Sequence, residues 1–202
     1  MAGGCRLPLV VIPAGTLFMD ALLTSTVTVA LAEIGDKTQL LSFLLAARFQ
    51  NKWAIVSGIF LATIINHGIS AWLGEWATNW LHGPWLDWVI AASFFAVGLW
   101  ILIPDKVDEE PNLLAHMGAF GATTVLFFLA EMGDKTQVAT VILGGHYQSI
   151  FWVTVGTTLG MLAANVPAIW MGDKLLSKLP LNLTRSLAAL LFIAMGVVVL
   201  SL

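Results

Sequence analysis

One octapeptide occurs twice in this chain of 202 residues, as EIGDKTQL at 33–40 and as EMGDKTQV at 131–138. Six of the eight positions are identical, and the offset between the two copies is 98 residues, close to half of the chain. The same offset places Gly58 in register with Gly156. A repeat of this length predicts that the chain folds as two structurally similar halves.

The sequence around the repeat is strongly apolar. Hydrophobic residues make up 58% of the chain and charged residues only 10%, against about 25% charged residues in a soluble domain. This is too little polar surface for a soluble protein, so the chain is predicted to be an integral membrane protein. A helix crosses the bilayer with about 20 apolar residues, which predicts six spans, at 21–47, 53–74, 86–103, 116–144, 150–172 and 183–202.

The first and fourth spans are longer than a single crossing requires, which indicates that they tilt or break. Each repeat contains three spans, and because three is an odd number the second half must enter the membrane from the opposite side. The predicted fold is therefore all-α, with six transmembrane helices arranged as two inverted three-helix repeats (3+3). The predicted organisation is an N-terminal extension (1–18), a first repeat (19–103), a cytoplasmic acidic linker (104–115) and a second repeat (116–202).

Basic residues set the orientation of such a chain. Arg6 is alone on one face, whereas the loops after the first, third and fifth spans hold Arg48, Lys52, Lys106, Lys174, Lys178 and Arg185. These loops are predicted to be cytoplasmic, with both termini periplasmic. The net charge of −3 and the absence of a basic run argue against binding nucleic acid, and a single cysteine, Cys5, excludes a disulfide framework.

Ionisable residues inside the spans are the best functional candidates, because a charge at that depth costs several kcal/mol and commonly marks an ion pathway. On a continuous helix, Glu33, Asp36 and Gln39 would share one face. Inversion of the halves would bring this set towards its counterparts at mid-membrane. The predicted metal ligands are Glu33, Asp36, Gln39, Glu131, Asp134 and Gln137.

The charge of the predicted site favours a divalent cation. Four carboxylates and the two lysines, Lys37 and Lys135, leave two negative charges. Oxygen ligands suit Ca²⁺, Mg²⁺ or Mn²⁺. Ionised carboxylates repel one another, so release of the metal would favour proton uptake, as in a cation/proton antiporter. The expected partners are a divalent metal ion, protons as counter-ion and the lipid bilayer, with no cofactor.

Several of these side chains also have purely structural interpretations. Lys37 is four residues from Glu33, so the two can form an ion pair, and Lys135 can do the same with Glu131. Gln39 and Gln137 can form hydrogen bonds between helices. Asn66 and Asn165 can supply ligand oxygens or join helices. His67 has no histidine counterpart, because Asn165 occupies its repeat position, and it is interpreted as a packing residue.

At the two octapeptides, and over about residues 20–202, the chain resembles a family of cation exchangers with paired Glu-x-Gly-Asp-(Lys/Arg)-(Ser/Thr) motifs. Its members include bacterial manganese exporters and eukaryotic Golgi calcium/manganese–proton exchangers. The resemblance implies that Glu33, Asp36, Glu131 and Asp134 are the essential acidic residues. Four further side chains are expected to complete the motifs and to take part in proton coupling, namely Lys37, Thr38, Lys135 and Thr136.

The function implied by the resemblance is Mn²⁺ export in exchange for protons across a bacterial inner membrane, because the chain is compact and shows no organellar targeting peptide. Ca²⁺/proton exchange with Mn²⁺ as a secondary substrate is the alternative. A membrane-embedded, metal-dependent lipid-phosphate hydrolase is less favoured. Such an enzyme would place its acids near the interface with basic residues to bind phosphate, and the predicted spans lack such a cluster.

Overall fold

The computed structural model describes residues 14–80, 83, 85–103, 117–171 and 181–201, and every regular element in this part of the chain is helical. In chain order the helices are α1 (Ala14–Glu33), α2 (Lys37–Arg48), α3 (Lys52–Trp80), α4 (Leu86–Ile101), α5 (Ala119–Glu131), α6 (Lys135–Tyr147), α7 (Ile150–Met171) and α8 (Leu181–Ser201). The predicted linker at 104–115 and residues 1–13 of the predicted extension lie outside the described residues.

The predicted spans correspond to these helices in two ways. Four spans are single helices, α3, α4, α7 and α8, although α3 continues to Trp80, beyond the predicted end at 74. The spans predicted at 21–47 and 116–144 are each divided into two helices, α1 with α2 and α5 with α6. The axes of α1 and α2 are bent by 71° at the break. The excess length of these two spans therefore reflects breaks in the helices.

The polarity of the surface is that of a protein in a bilayer. By length and composition α3 and α7 can each cross a membrane, and α1 with α2 counts as a third span if the bent pair is taken as one. Large apolar side chains face outward, as at Trp53, which is 73% exposed. The interior holds many polar side chains, among them Ser25, Thr28, Ser42, Thr63, Ser70, Thr140 and Thr157. An apolar exterior around an interior that also buries many polar side chains characterises a multi-pass membrane protein.

Helices of the two halves pack against each other in matching pairs. α1 packs against α7, and its counterpart α5 packs against α3. α2 also contacts α7, as α6 contacts α3, while α4 packs against α8. Buried apolar side chains form one cluster that includes Phe94 and Phe192 and another that includes Ile59 and Phe127. The broken spans are thus held by the long helix of the opposite half.

Two glycines show how closely the helix packing of the two halves corresponds. A Cβ atom on Gly58 in α3 would lie 2.7 Å from Thr123 Cβ in α5, and a Cβ atom on Gly156 in α7 would lie 2.9 Å from Ser25 Cβ in α1. Both distances are too short for a side chain, so each helix pair requires glycine at this point. Gly156 follows Gly58 by 98 residues, and Thr123 follows Ser25 by the same offset. The two contacts are therefore equivalent under the sequence repeat.

Candidate cation site

Each octapeptide occupies the break between two helices. Gly35 has a φ angle of 81° and Gly133 a φ angle of 72°, values in the left-handed region that residues with a Cβ atom adopt only at a cost. Asp36 and Asp134 follow with extended backbone as the N-cap residues of α2 and α6. The helical face proposed for Glu33, Asp36 and Gln39 therefore does not form, because the glycine turns the chain out of the helix.

The glutamines of both motifs close these turns. The backbone N–H of Gly35 donates to Gln39 Oε1 over 2.9 Å, and that of Gly133 donates to Gln137 Oε1 over 2.6 Å. Each bond resembles a capping box, in which a glutamine in the first helical turn reaches back to the N–H groups before it. Gln39 Nε2 also donates to the carbonyl oxygen of Ala164 in α7 over 2.9 Å. The contact of Gln39 with α7 matches its interpretation as a residue that joins helices, whereas the bond of Gln137 lies within its own turn.

Three carboxylates from the two halves converge at the breaks. One oxygen each from Glu33, Glu131 and Asp134 lies within 4.8 Å of the others. The three residues are 0%, 0% and 4% exposed. Carboxylate oxygens at this spacing can share one hard cation. Asp36, the fourth predicted acidic ligand, is not part of this group and is half-buried.

Glu33 is the carboxylate with donors on both oxygens. Thr38 Oγ1 donates to Glu33 Oε2, and Thr136 Oγ1 donates to Glu33 Oε1. One threonine comes from each octapeptide, so Glu33 links the two halves directly. Both threonines predicted as motif residues therefore contact the same carboxylate.

The two motif lysines have different partners. Lys37 Nζ lies 3.5 Å from Asp134 Oδ1 in the other half, where the structural interpretation paired it with Glu33. Lys135 Nζ donates over 2.5 Å to the carbonyl oxygen of Ile103, just beyond the end of α4. Lys37 therefore contributes a positive charge to the carboxylate group, whereas Lys135 binds the C-terminal end of a helix, where a cation is favourable.

Two oxygens of the carboxylate group have no hydrogen-bond donor in the part of the chain that the structure describes. Glu131 Oε1 and Asp134 Oδ2 are buried, and neither has a hydrogen-bond partner among the described residues. Buried polar atoms without partners are rare in native proteins because they lose their hydration without compensation. A cation between these oxygens would provide the missing partner.

The asparagines join helices. Asn66 Nδ2 donates to the carbonyl oxygen of Phe128 in α5 over 3.0 Å. Asn165 Oδ1 accepts a hydrogen bond from Ser42 Oγ over 2.8 Å, and its Nδ2 donates to the carbonyl oxygen of Met161 over 3.0 Å. Of the two interpretations of these residues, the observed contacts match helix–helix bonding.

His67 is the site neighbour that the sequence analysis missed. The residue is fully buried, and its Nε2 atom lies 3.5 Å from Glu131 Oε2. The interpretation as a packing residue overlooked this contact. The signal was present in the repeat, since position 67 corresponds to position 165, where the second half has asparagine instead of histidine.

A buried carboxylate cluster in an all-helical membrane protein is typical of proteins that move ions across the bilayer. The family model described as "Divalent cation/proton antiporter GDT1" matches residues 21–109 and 119–201. The chain belongs to this family, which confirms the resemblance seen in the motifs.

Three relatives illustrate the range of similarity. A protein of Vibrio cholerae serotype O1 named "Putative manganese exporter" is 51% identical over 179 residues, which cover 88% of this chain and 89% of that protein. GDT1-like protein 4 of Oryza sativa subsp. indica is 28% identical over 206 residues, covering 89% and 73%. A GDT1-like protein of Synechocystis sp. is 26% identical over 207 residues, covering 91% and 96%. No solved structure matches the chain.

Proposed function

We propose that this chain is a secondary transporter that exports Mn²⁺ in exchange for protons. The observation that carries the proposal is the group formed by Glu33, Glu131 and Asp134, with two buried oxygens that lack a partner among the described residues. Membership of a divalent cation/proton antiporter family and the name of the Vibrio cholerae relative support it. Ca²⁺ is the other ion that this family chemistry admits, and it is included in the test below.

The charge of the group matches one divalent ion. When Lys37 and the three carboxylates are all ionised, the net charge is two negative units. The C-terminal ends of α1 and α5 meet the N-terminal ends of α2 and α6 at these breaks, so the opposite partial charges of the helix dipoles offset each other and the side chains set the net charge. Broken helices whose ends point at a coupling ion are common in secondary transporters. A divalent cation would therefore neutralise the site.

Protons are the natural exchange partner for such a site. Without the metal, closely spaced carboxylates in a region of low dielectric constant repel one another strongly. Two protons carry the same charge as one divalent ion, so proton binding restores neutrality. A pH gradient can then drive the metal out, because the metal and the protons compete for the same oxygens.

Six spans in two inverted repeats provide the two access routes that this exchange needs. The repeats are proposed at 19–103 and 116–202, with 104–115 as the linker. The equivalent glycine contacts between α3 and α5 and between α7 and α1 support this arrangement, as do the two segments matched by the family model. The proposed location is the bacterial inner membrane, with both termini periplasmic. A C-terminal alkaline phosphatase fusion should then be active, and an inactive fusion would reverse the orientation.

Transport by the reconstituted chain tests the function. Proteoliposomes with an imposed pH gradient should accumulate Mn²⁺ against its own gradient, and the flux should collapse when a protonophore removes the pH gradient. Parallel assays with Ca²⁺ and Mg²⁺ rank the substrates. Manganese flux that is indifferent to the protonophore would indicate a channel and would contradict antiport.

A pair of variants ties the flux to the site. Glu131→Gln removes one of the three converging carboxylates and should abolish Mn²⁺ transport. Glu75→Gln is the matched control, because Glu75 Oε2 accepts a hydrogen bond from the Ile150 N–H at the start of α7 and is outside the carboxylate group. The control variant should retain transport. If Glu131→Gln also retained it, the site assignment would be wrong.

A further inference from the structure

The two halves differ in a residue that lies beside the carboxylates. The glycine contacts show that α3 and α7 occupy equivalent places in the two halves. At equivalent positions α3 carries His67 and α7 carries Asn165. Asn165 forms hydrogen bonds with Ser42 and with the carbonyl oxygen of Met161. His67 lies instead at the edge of the carboxylate group, next to Glu131.

The distance between His67 and Glu131 suits two ligands of one metal. Nε2 and Oε2 are 3.5 Å apart, which is long for a hydrogen bond with a usual N···O distance of about 2.9–3.0 Å. Metal–ligand bonds of about 2.2 Å at right angles, intermediate between those of Mg²⁺ and Ca²⁺, separate neighbouring donor atoms by about 3.1 Å. A small closure would therefore allow one ion to contact both atoms.

The remaining atoms of this pair are also available. His67 Nδ1 and Glu131 Oε1 are buried, and neither has a hydrogen-bond partner among the described residues. No second hydrogen bond therefore holds the imidazole proton on Nε2, and the ring can present its Nε2 lone pair to an ion. Without such a use, neither nitrogen of the buried ring has a close hydrogen bond among the described residues.

A nitrogen ligand can discriminate between divalent cations that a site made only of carboxylates would bind similarly. Ca²⁺ and Mg²⁺ bind oxygen ligands almost exclusively. Mn²⁺ also binds mainly oxygen ligands, but as a first-row transition metal it accepts a neutral imidazole nitrogen more readily than these two ions do. An imidazole beside Glu131, at the edge of the carboxylate group, therefore favours Mn²⁺ over Ca²⁺ and Mg²⁺.

We propose that His67 is a ligand of the transported ion through Nε2 and the residue with which this chain prefers Mn²⁺ to Ca²⁺. The proposal rests on the proposed function, since it takes the carboxylate group as the ion site. It also assigns the halves unequal parts: the first contributes Glu33 and the nitrogen donor from α3, and the second contributes Glu131 and Asp134 around the break between α5 and α6. His67, Glu131 and Asp134 are all buried, so the ion would bind inside the protein.

The variant His67→Asn gives α3 the residue that α7 carries at the equivalent position. The full-length chain is reconstituted in phosphatidylethanolamine/phosphatidylglycerol liposomes, and transport is measured for Mn²⁺ and for Ca²⁺ across a pH gradient. We expect the Mn²⁺ concentration for half-maximal transport to rise at least about tenfold. The value for Ca²⁺ should remain within about twofold, because Ca²⁺ gains little from a nitrogen donor. An equal change for both ions, or no change, would overturn the proposal.

Ser70→Ala is the matched control on the same helix. Ser70 is buried about one turn beyond His67, and its hydroxyl donates to the carbonyl oxygen of Asn66, so it does not contact the carboxylate group. This variant should keep the Mn²⁺/Ca²⁺ preference of the unmodified chain. If His67→Asn does not yield folded protein, His67→Gln replaces it in the same assays.

Pulsed electron paramagnetic resonance provides a direct readout of the bond. Mn²⁺ bound to the unmodified chain should show ¹⁴N modulation from an imidazole, and His67→Asn should lose it while still binding Mn²⁺ at higher concentration. Nitrogen modulation that persists in the variant would overturn the proposal. If the unmodified chain transports Mn²⁺ but its preference survives the substitution, only the role of His67 fails. If the unmodified chain moves no divalent ion, the proposed function itself fails.

Discussion

The two octapeptides have nearly the same sequence and the same backbone, yet their side chains have different surroundings. Both break a span at a glycine with positive φ, and both close the turn with a glutamine. Glu33, in the first copy, accepts hydrogen bonds from two threonine hydroxyls, whereas Glu131, in the second copy, lies against His67. Asp134 is buried, but Asp36 is half-buried.

This difference indicates that the symmetry belongs to the helices and that the side chains of the carboxylate group depart from it. A carrier built from inverted repeats can exchange the roles of its halves as it moves between inward-facing and outward-facing states. The buried positions differ between the two motifs: Thr38 and Gln39 are buried in the first, whereas Asp134, Lys135 and Thr136 are buried in the second, in which Met132 is exposed. The three predictions below test this comparison, from the largest expected effect to the smallest.

The two aspartates should differ most. Asp134→Asn removes a carboxylate from the converging group, so we expect Mn²⁺ binding to weaken at least about 100-fold. Asp36→Asn removes a carboxylate outside that group, and binding should weaken less than about tenfold. Both variants should transport poorly, because each motif takes its turn in the cycle. Isothermal titration calorimetry on the purified chain measures the binding, and proteoliposome flux measures the transport.

The contrast between binding and transport makes this prediction specific. A common structural defect would reduce both quantities in both variants. Equal losses of affinity in Asp36→Asn and Asp134→Asn would mean that the two motifs contribute equally to binding, and the asymmetry of the carboxylate group would then have no functional meaning.

The two lysines should give effects of different kinds. Lys37→Gln removes the positive charge beside Asp134, so Mn²⁺ should bind several-fold more tightly. Addition of Mn²⁺ should then raise the midpoint of thermal unfolding more in this variant than in the unmodified chain. Lys135→Gln removes a charged hydrogen bond to the Ile103 carbonyl, which should lower the free energy of unfolding by about 2 kcal/mol. Its Mn²⁺ affinity should not change.

Thermal unfolding with and without Mn²⁺ separates the two lysine variants. Lys37→Gln should show an enlarged Mn²⁺-dependent shift, and Lys135→Gln a lower midpoint with an unchanged shift. A changed shift in Lys135→Gln would place this lysine in the ion site and contradict the comparison.

Hydropathy and the repeat were sufficient to predict the four spans that are single helices, although α3 continues beyond its predicted end. The span predicted at 150–172 is α7 at Ile150–Met171, and that predicted at 86–103 is α4 at Leu86–Ile101. These bounds follow from the apolar length needed in a bilayer. Breaks in the first and fourth spans were predicted only as an alternative to tilt. Hydropathy does not report a backbone angle, and a glycine such as Gly35 is compatible with both helix and turn.

The ligand set was less predictable because it depends on contacts between the halves. A symmetrical assignment gave four carboxylates and two amides, whereas the structure brings together three carboxylates. The sequence does not reveal that Thr136 reaches across to Glu33 or that Lys37 reaches Asp134. His67 was overlooked for a related reason, since a search for paired residues passes over a residue without a pair.

The smallest effects should come from the two glycines at the breaks, and here the copies should behave alike. Gly35→Ala and Gly133→Ala each place a Cβ atom on a backbone with positive φ, so each should lose about 1–2 kcal/mol of unfolding free energy. At Gly133 a Cβ atom would meet nothing within 4 Å, so its cost is purely conformational.

Gly118→Ala is the matched control. A Cβ atom at Gly118 would also meet nothing within 4 Å, but the φ angle of Gly118 is −67°, so this substitution should cost little. Equal losses at Gly35 and Gly133 in denaturant unfolding would assign the asymmetry to side chains alone. Clearly unequal losses would show that the asymmetry between the two motifs extends to the backbone. The differences between the two aspartates and between the two lysines would then follow from different backbone turns at Gly35 and Gly133.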